Sequence, residues 1–300
     1  MMWFIIISLI ILLGCGTVEK AADSLSAIEY KILPKKEEPK KKVLVIPFLC
    51  AWNTESDFGI KVSERFAKRL KKIPGNLLVY KPKNPHAWKF LGPVPELGII
   101  NDPEMIEDAR NIGMNYLVTG IIDVMKVAER TNGIWPFRHY DNIFEAVMII
   151  NVFDTITGAL IESHMESEEF SIPVNKTPKK REEIFRKVIK NTLPGLIRKQ
   201  TRLCAGLIMK DQWKSRIIEV EENPGKLKIE GGKDVGIKEG MEMDVFEWGK
   251  RIIPSSSPPF YFLGKRIGRI RIISVKDNYS IAVPLKRADY RPDLPVVFSD

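Results

Sequence analysis

Three histidines are spread over the 300 residues, so imidazole chemistry has few places to arise. The densest grouping of chemistry-bearing side chains is His164-Met165-Glu166-Ser167-Glu168. Alternate residues of a strand point to one face, which would let His164, Glu166 and Glu168 converge on a metal. The same alternation suits a solvated polar face with Met165 turned inward, and that is the reading expected here. His86 and His139 fall in loops beside Trp88 and Trp135, where a surface role is expected. Asp123, inside an apolar strand, reads as the first residue of that strand to face water. Gly231 to Gly240 is glycine-rich, but it lacks Gly-Lys-Ser/Thr and no long helix follows, so it reads as a tight connection rather than a phosphate loop. No nucleophile elbow, zinc-protease helix or paired Cys-x-x-Cys is present. No catalytic residue, metal or cofactor is expected, and the balance shifts from enzyme to binding or assembly protein.

The residue placed for covalent chemistry is Cys15. Trp3 to Leu13 is apolar apart from Ser8, and it runs into Leu12-Leu13-Gly14-Cys15. An apolar core of about 7–15 residues ending at small residues reads as a secretory signal, too short for a spanning helix of about 20. The ending resembles the lipobox of bacterial lipoproteins. The resemblance implies that Cys15 becomes the mature N-terminus and carries acyl chains, with everything after it outside the cytoplasm. Gly16, rather than Asp, after that cysteine is similar to outer-membrane sorting signals of enteric bacteria. Residues 1–14 are then a signal peptide. Residues 15–42, charged and broken by prolines, read as a lipid-anchored flexible tether.

Net charge is +9, and residues 1–14 carry no charged side chain. Such a balance favours acidic partners, but export argues against nucleic acid. Cys50 and Cys204 remain after Cys15; in an oxidising compartment they could pair, or both could be small core residues.

The elements that must position these residues follow from periodicity. Val43 to Phe48 is a short apolar run suited to a strand buried on both faces. Phe58, Val62, Phe66 and Leu70 recur at helical spacing. Leu77–Tyr80 is a second strand, and Asp102-Pro103 starts a helix with proline in its first turn. Tyr116–Val124, running on to Ala128, Phe144–Phe153 and Leu160–Ile172 are strands. Thr177-Pro178 should cap a long helix that Pro194-Gly195 should kink or end. From about residue 206 short strands and turns take over: 215–220, 226–229, 242–248, 266–275 and 280–284. The expected class is α/β (α+β). A mixed sheet flanked by helices occupies 43–205, and a small SH3-like β-barrel occupies 206–300.

Val43–Phe48 ending in "VIPF", Tyr116–Val124 "YLVTGIIDV" and Val147–Gly158 "VMIINVFDTITG" resemble the α/β domain of the CsgG family of curli-secretion lipoproteins. Relatives of that family include the TolB N-terminal domain and the synthase activator LpoB. Lys228–Gly240, Ile267–Ile272 and Ser280–Pro284 are similar to the C-terminal domain of the flagellar assembly protein FlgT. The resemblance implies a non-enzymatic periplasmic lipoprotein on the outer membrane, acting in assembly or scaffolding of a flagellar or secretion-type envelope machine. It also leaves open an oligomeric curli-type channel and an activator of a cell-wall synthase. A channel needs strands of about 9–11 residues with alternate residues facing lipid. Glu129 to Asn142 reads as too short and too charged for that, and Glu162 to Glu169 puts charge on both faces. Trp135, Phe137 and Tyr140 instead read as an aromatic loop tip that grips a partner. Arg266, Arg269 and Arg271, in the basic run Lys265–Arg271, are the second expected contact. Expected partners are therefore the membrane, through the lipid anchor, and envelope proteins, with self-association left open.

Overall fold

The computed structural model describes residues 38–51, 57–90, 92–100, 102–221, 225–255 and 259–299. The expected signal peptide, Cys15 and most of the expected tether lie outside these residues.

The first apolar run forms strand β1 (Lys41–Val45), which begins two residues before the expected Val43. Lys41 is 1% exposed, although the tether was expected to reach residue 42. Its ammonium lies 3.0 Å from the Glu38 carboxylate and donates to the Asp211 carbonyl, so the buried charge is compensated. Strand β2 is Leu49–Cys50 and β3 is Leu77–Tyr80. Between them, helix α1 (Phe58–Leu70) buries Val62, Phe66 and Leu70 at the expected spacing. Helix α2 (Pro103–Asn111) starts where Asp102 Oδ1 accepts from the Met105 N–H at 3.1 Å, with Pro103 in the first turn.

Three long antiparallel strands follow: β4 (Tyr116–Asn132), β5 (His139–Asp154) and β6 (Leu160–Pro173). The sheet order is β3-β1-β4-β5-β6, with β2 beside β4. β1 is parallel to both β3 and β4, so the sheet is mixed. Helix α3 (Arg181–Lys210) and α1 cover one face through Phe66, Val118, Ile150, Leu196 and Ile208. Helix α2 covers part of the other through Leu44, Ile46, Leu117 and Phe153.

α3 corrects two expectations. Thr177 does not cap it: its hydroxyl donates to the Pro173 carbonyl, and the helix begins at Arg181. Pro194 does not end it either. A helical proline costs about 3 kcal/mol. Here Leu193, Leu196 and Ile197 on the same turns are fully buried against the sheet, which offsets that loss. Gly195 lets β6 approach closely, since a Cβ there would lie 2.1 Å from Glu168 Oε1.

The second half is a closed barrel in the order β10-β11-β8-β7-β12-β9. Its strands are β7 (Lys214–Val220), β8 (Leu227–Glu230), β9 (Glu242–Ile252), β10 (Phe260–Val275), β11 (Tyr279–Pro284) and β12 (Pro295–Phe298). Trp213, Ile229, Met243, Ile270 and Val296 fill it. The fold class is thus a helix-flanked mixed sheet with a small β-barrel. β12, which no sequence pattern announced, closes the barrel between β7 and β9.

Sheet and barrel meet over a buried polar cluster. Asp211, just past α3, accepts from Tyr116 Oη at 2.8 Å and from Lys214 Nζ at 2.5 Å. Lys214 also lies 3.0 Å from Asp154 Oδ2, at the end of β5. Among the described residues, no helix is long and apolar enough to cross a membrane.

Candidate functional site

β4 and β5 run on past the last β5–β6 pair, Asp141 with Pro173, as a short arm, and below it β4 leaves one edge of the sheet open to water. From Met125 to Thr131 every β4 residue is exposed, on both faces of the strand. The β5 partners of this stretch, residues 141–144, stay buried and paired to β6, so only the pairs Thr131–Tyr140 and Asn132–His139, about 7 Å of strand, stand beyond the sheet. The last ladder pair is Asn132 with His139, and residues 133–138 make the tip. Gly133 turns the chain at φ +93°, and a Cβ there would lie 2.5 Å from the Phe137 carbonyl oxygen. The Phe137 N–H donates to the Ile134 carbonyl at 2.7 Å, and the Trp135–Pro136 peptide is cis. Below the turn, buried Asp141 accepts from Asn132 Nδ2 at 2.6 Å and lies 3.7 Å from His139 Nε2.

This scaffold presents Ile134, Trp135 and Phe137 at 84%, 77% and 82% exposure. Tyr140 is 61% exposed, but it belongs to strand β5 opposite Thr131 and not to the loop. Ile134 and Arg138 complete the tip; sequence reasoning passed over Ile134 and counted Arg138 only among the charges of Glu129 to Asn142. The signal was present as Ile134-Trp135-Pro136-Phe137, an apolar run bounded by Gly133 and Arg138. Along the shaft, Lys126 pairs with Glu129 at 2.6 Å and Arg130 with Glu169 at 3.7 Å. Arg138 has no ion pair among the described residues. The arrangement is therefore a water-exposed apolar tip on a short arm, with a charged shaft below it formed by the open β4 edge of the sheet.

β4 and β5 run 17 and 16 residues and continue through the segment expected to be a short insertion, but Tyr116–Val124 and Asp141–Asp154 belong to the largely buried sheet, so the free part of the hairpin stays short. The charge is as expected, with Lys126, Glu129 and Arg130 on β4 and Glu169 beside them on β6.

Arg266, Arg269 and Arg271 lie together on β10, but each guanidinium is engaged across the barrel sheet. Arg269 donates to Asp244 at 2.9 Å, Arg271 to Glu242 at 2.7 Å and Arg266 to Asp244 at 3.3 Å. The Arg271 bond holds the Glu242 carboxyl below its ordinary pKa. Partial burial opposes the charge on Asp244, yet bonds from Arg269 and Ser299 bring it below the ordinary range too. This is an internal ion ladder, with its positive charge largely matched inside the chain.

The other candidates are structural. His164 Nδ1 lies 3.2 Å from Gln200 Oε1, and Lys199 Nζ lies 3.5 and 3.6 Å from Glu166 and Glu168. This face therefore packs on α3. Met165, expected inward, is the exposed one, because the helix covers the polar side of β6. Among the described residues no three His, Cys, Asp or Glu side chains are grouped to hold a metal. Asp123 Oδ1 accepts from the Val124 N–H at 2.7 Å, and His86 is exposed in a short 3-10 turn. The glycine-rich segment is a tight connection, with Gly231, Gly236 and Gly240 all at positive φ. Cys50 and Cys204 are not joined by a disulfide, and burial pushes the Cys204 thiol up to about 12.

Comparisons with known proteins add little. No protein-family model matches the chain, and no curated protein matches it. Among solved structures it is similar to a hypothetical protein of Chlamydia trachomatis, with 17% identity, 57% of this chain and 99% of that chain covered, and TM-score 0.33. The lipoprotein GNA1162 of Neisseria meningitidis gives 12% identity, coverages of 57% and 99%, and TM-score 0.27. The PelC dodecamer of Paraburkholderia phytofirmans gives 12% identity, coverages of 59% and 93%, and TM-score 0.29. At such identities and TM-scores, the account of this chain rests on its own residues.

Proposed function

We propose that this chain is a lipid-anchored envelope protein that works by contact rather than catalysis, in assembly or scaffolding of a cell-envelope machine. Cys15 supplies the anchor, on the outer membrane's periplasmic side. The observation that carries the reading is the arm. A folded body that holds Ile134, Trp135 and Phe137 in water at the end of a charged hairpin has built a contact, since exposed apolar clusters of this kind mark interaction sites. The paired barrel arginines are secondary to it. A second reading, an oligomeric secretion channel, draws on the length of β4 and β5, and the charged shaft counts against it.

The test joins fractionation to cross-linking in cells. Cys15→Ala is expected to move the chain from the membrane to the soluble fraction. A photoactivatable side chain at position 135 is expected to give envelope adducts that the same group at buried position 118 does not. A membrane-bound Cys15→Ala variant, or equal adducts at both positions, would overturn the reading. Ring-sized particles that conduct ions would put the channel first.

A further inference from the structure

We infer that the tip of the β4–β5 arm docks on a lipid surface, dipping Ile134, Trp135 and Phe137 into the interface of an anionic bilayer. The inference rests on the reading of the tip as the working contact and names what it contacts. Three features point to lipid. First, the tip is convex: residues 133–138 close directly on the Asn132–His139 pair. It offers three large apolar side chains, each more than three-quarters exposed. Second, the residue types are ordered by polarity along the arm. The aliphatic and aromatic groups are outermost, and Tyr140, with its polar hydroxyl, is one pair below the last rung. Tryptophan and tyrosine favour the headgroup level, where an apolar ring and a polar atom are both satisfied. Third, the charge is complementary. Arg138 directly follows Phe137 and has no ion pair among the described residues, which leaves it for a lipid phosphate. The charges of Lys126, Glu129 and Arg130 begin further down the shaft and set a limit to how deep the arm enters. The dip is shallow, unlike the spanning strands of a channel. Together with acyl chains at Cys15 it makes a two-point attachment, and two weak membrane signals hold far better than one.

The test uses the chain from Gly16 onward, without acyl groups. It is sedimented with vesicles of phosphatidylethanolamine and phosphatidylglycerol, three parts to one, and separately with phosphatidylcholine vesicles. Binding is expected to the first and to be weaker to the second. Joint replacement Ile134→Ser, Trp135→Ser, Phe137→Ser is expected to lower partitioning by about tenfold or more, with Tm unchanged. Arg138→Gln is expected to cost about fivefold on the anionic vesicles alone. Trp135 emission, isolated by difference from Trp135→Phe, is expected to shift to the blue and to be quenched by brominated acyl chains. Equal sedimentation of wild type and triple variant, or Trp135 emission that vesicles neither shift nor quench, would overturn the inference. If the lipid result is negative while position 135 still gives protein adducts in cells, this inference fails and the tip remains the contact. If both are negative, the tip reading fails as well.

Discussion

Gly59 sits in the first turn of α1 against the residue before β2, where a Cβ would lie 1.8 Å from the Phe48 carbonyl oxygen. That obstacle is backbone and cannot swing aside, so Gly59→Ala is expected to destabilise the chain by about 3 kcal/mol, measured by urea unfolding. Cys204 makes a pH-dependent statement at the same scale. It is wholly buried, and its thiol is raised from an ordinary 9.0 to about 12. A thiol raised in the folded state holds its proton there after the unfolded chain has lost it. Its contribution is therefore complete below pH 9 and lost as pH rises from 9 towards 12, at up to about 1.4 kcal/mol per unit. Tyr116 acts in the same direction from its ordinary value of 10.0, because burial and the charges of Asp154 and Asp211 disfavour the phenolate. Melting temperature is expected to fall steeply above pH 9, and Cys204→Ala, though less stable at neutral pH, is expected to show the shallower alkaline limb. An identical limb in both would show that the thiol is not what titrates.

The arm tip contributes almost nothing to the core. Joining Asn132 to His139 through Asn-Gly, in place of residues 133–138, matches the two-residue turn that an antiparallel pair prefers. This exchange is expected to leave Tm within about 2 °C and to abolish vesicle binding together with adducts at the tip; a large loss of Tm would mean that the tip packs on the body. The arm also marks where the sequence stopped being legible. Strands buried on a face announce themselves by apolar residues, which is why the cores of β1, β4, β5 and β6 and most barrel strands could be placed. Beyond Ala128 both faces of β4 meet water, so alternation vanishes while the ladder to β5 continues to Asn132. The tip aromatics were legible as residue types, but Tyr140 was placed in the loop for this same reason. β12 escaped because a strand of four residues, Pro295–Phe298, buried throughout, has no period to read. At Pro194 the sequence left a kink or an end open, because local propensity carries no information about the sheet beneath it.

Across the whole molecule the decisive contacts lie between residues far apart in sequence. Tyr116, Asp154, Asp211 and Lys214 come from the start of β4, the end of β5, the end of α3 and the start of β7. A second link runs from the barrel back to the sheet: the Tyr261 N–H on β10 donates to the Thr157 carbonyl in the β5–β6 turn, at 2.8 Å. Asp154 joins the two links, since its Oδ1 accepts from the Ile156 and Thr157 N–H groups while Oδ2 holds Lys214. Burial opposes the charge on Lys214, but the two aspartates outweigh it and raise its pKa above the lysine value, so this pair keeps its strength until strongly alkaline pH. Sheet and barrel are therefore expected to melt as one transition in calorimetry. Asp154→Ala strips the turn of its acceptor and leaves the Lys214 ammonium with Asp211 alone. With Asp211 still compensating Lys214, the cost is mainly the turn N–H groups left without an acceptor, about 1–3 kcal/mol. The expected result is a split transition, with the barrel and the sheet melting apart. Asp154→Asn keeps an acceptor for the turn and leaves Lys214 paired with Asp211, so it should recover most of the loss and the single transition. Failure of Asp154→Asn to recover, beside a split in Asp154→Ala, would assign the coupling to the Asp154–Lys214 charge pair itself. An unsplit transition in Asp154→Ala would place the coupling elsewhere along the barrel interface.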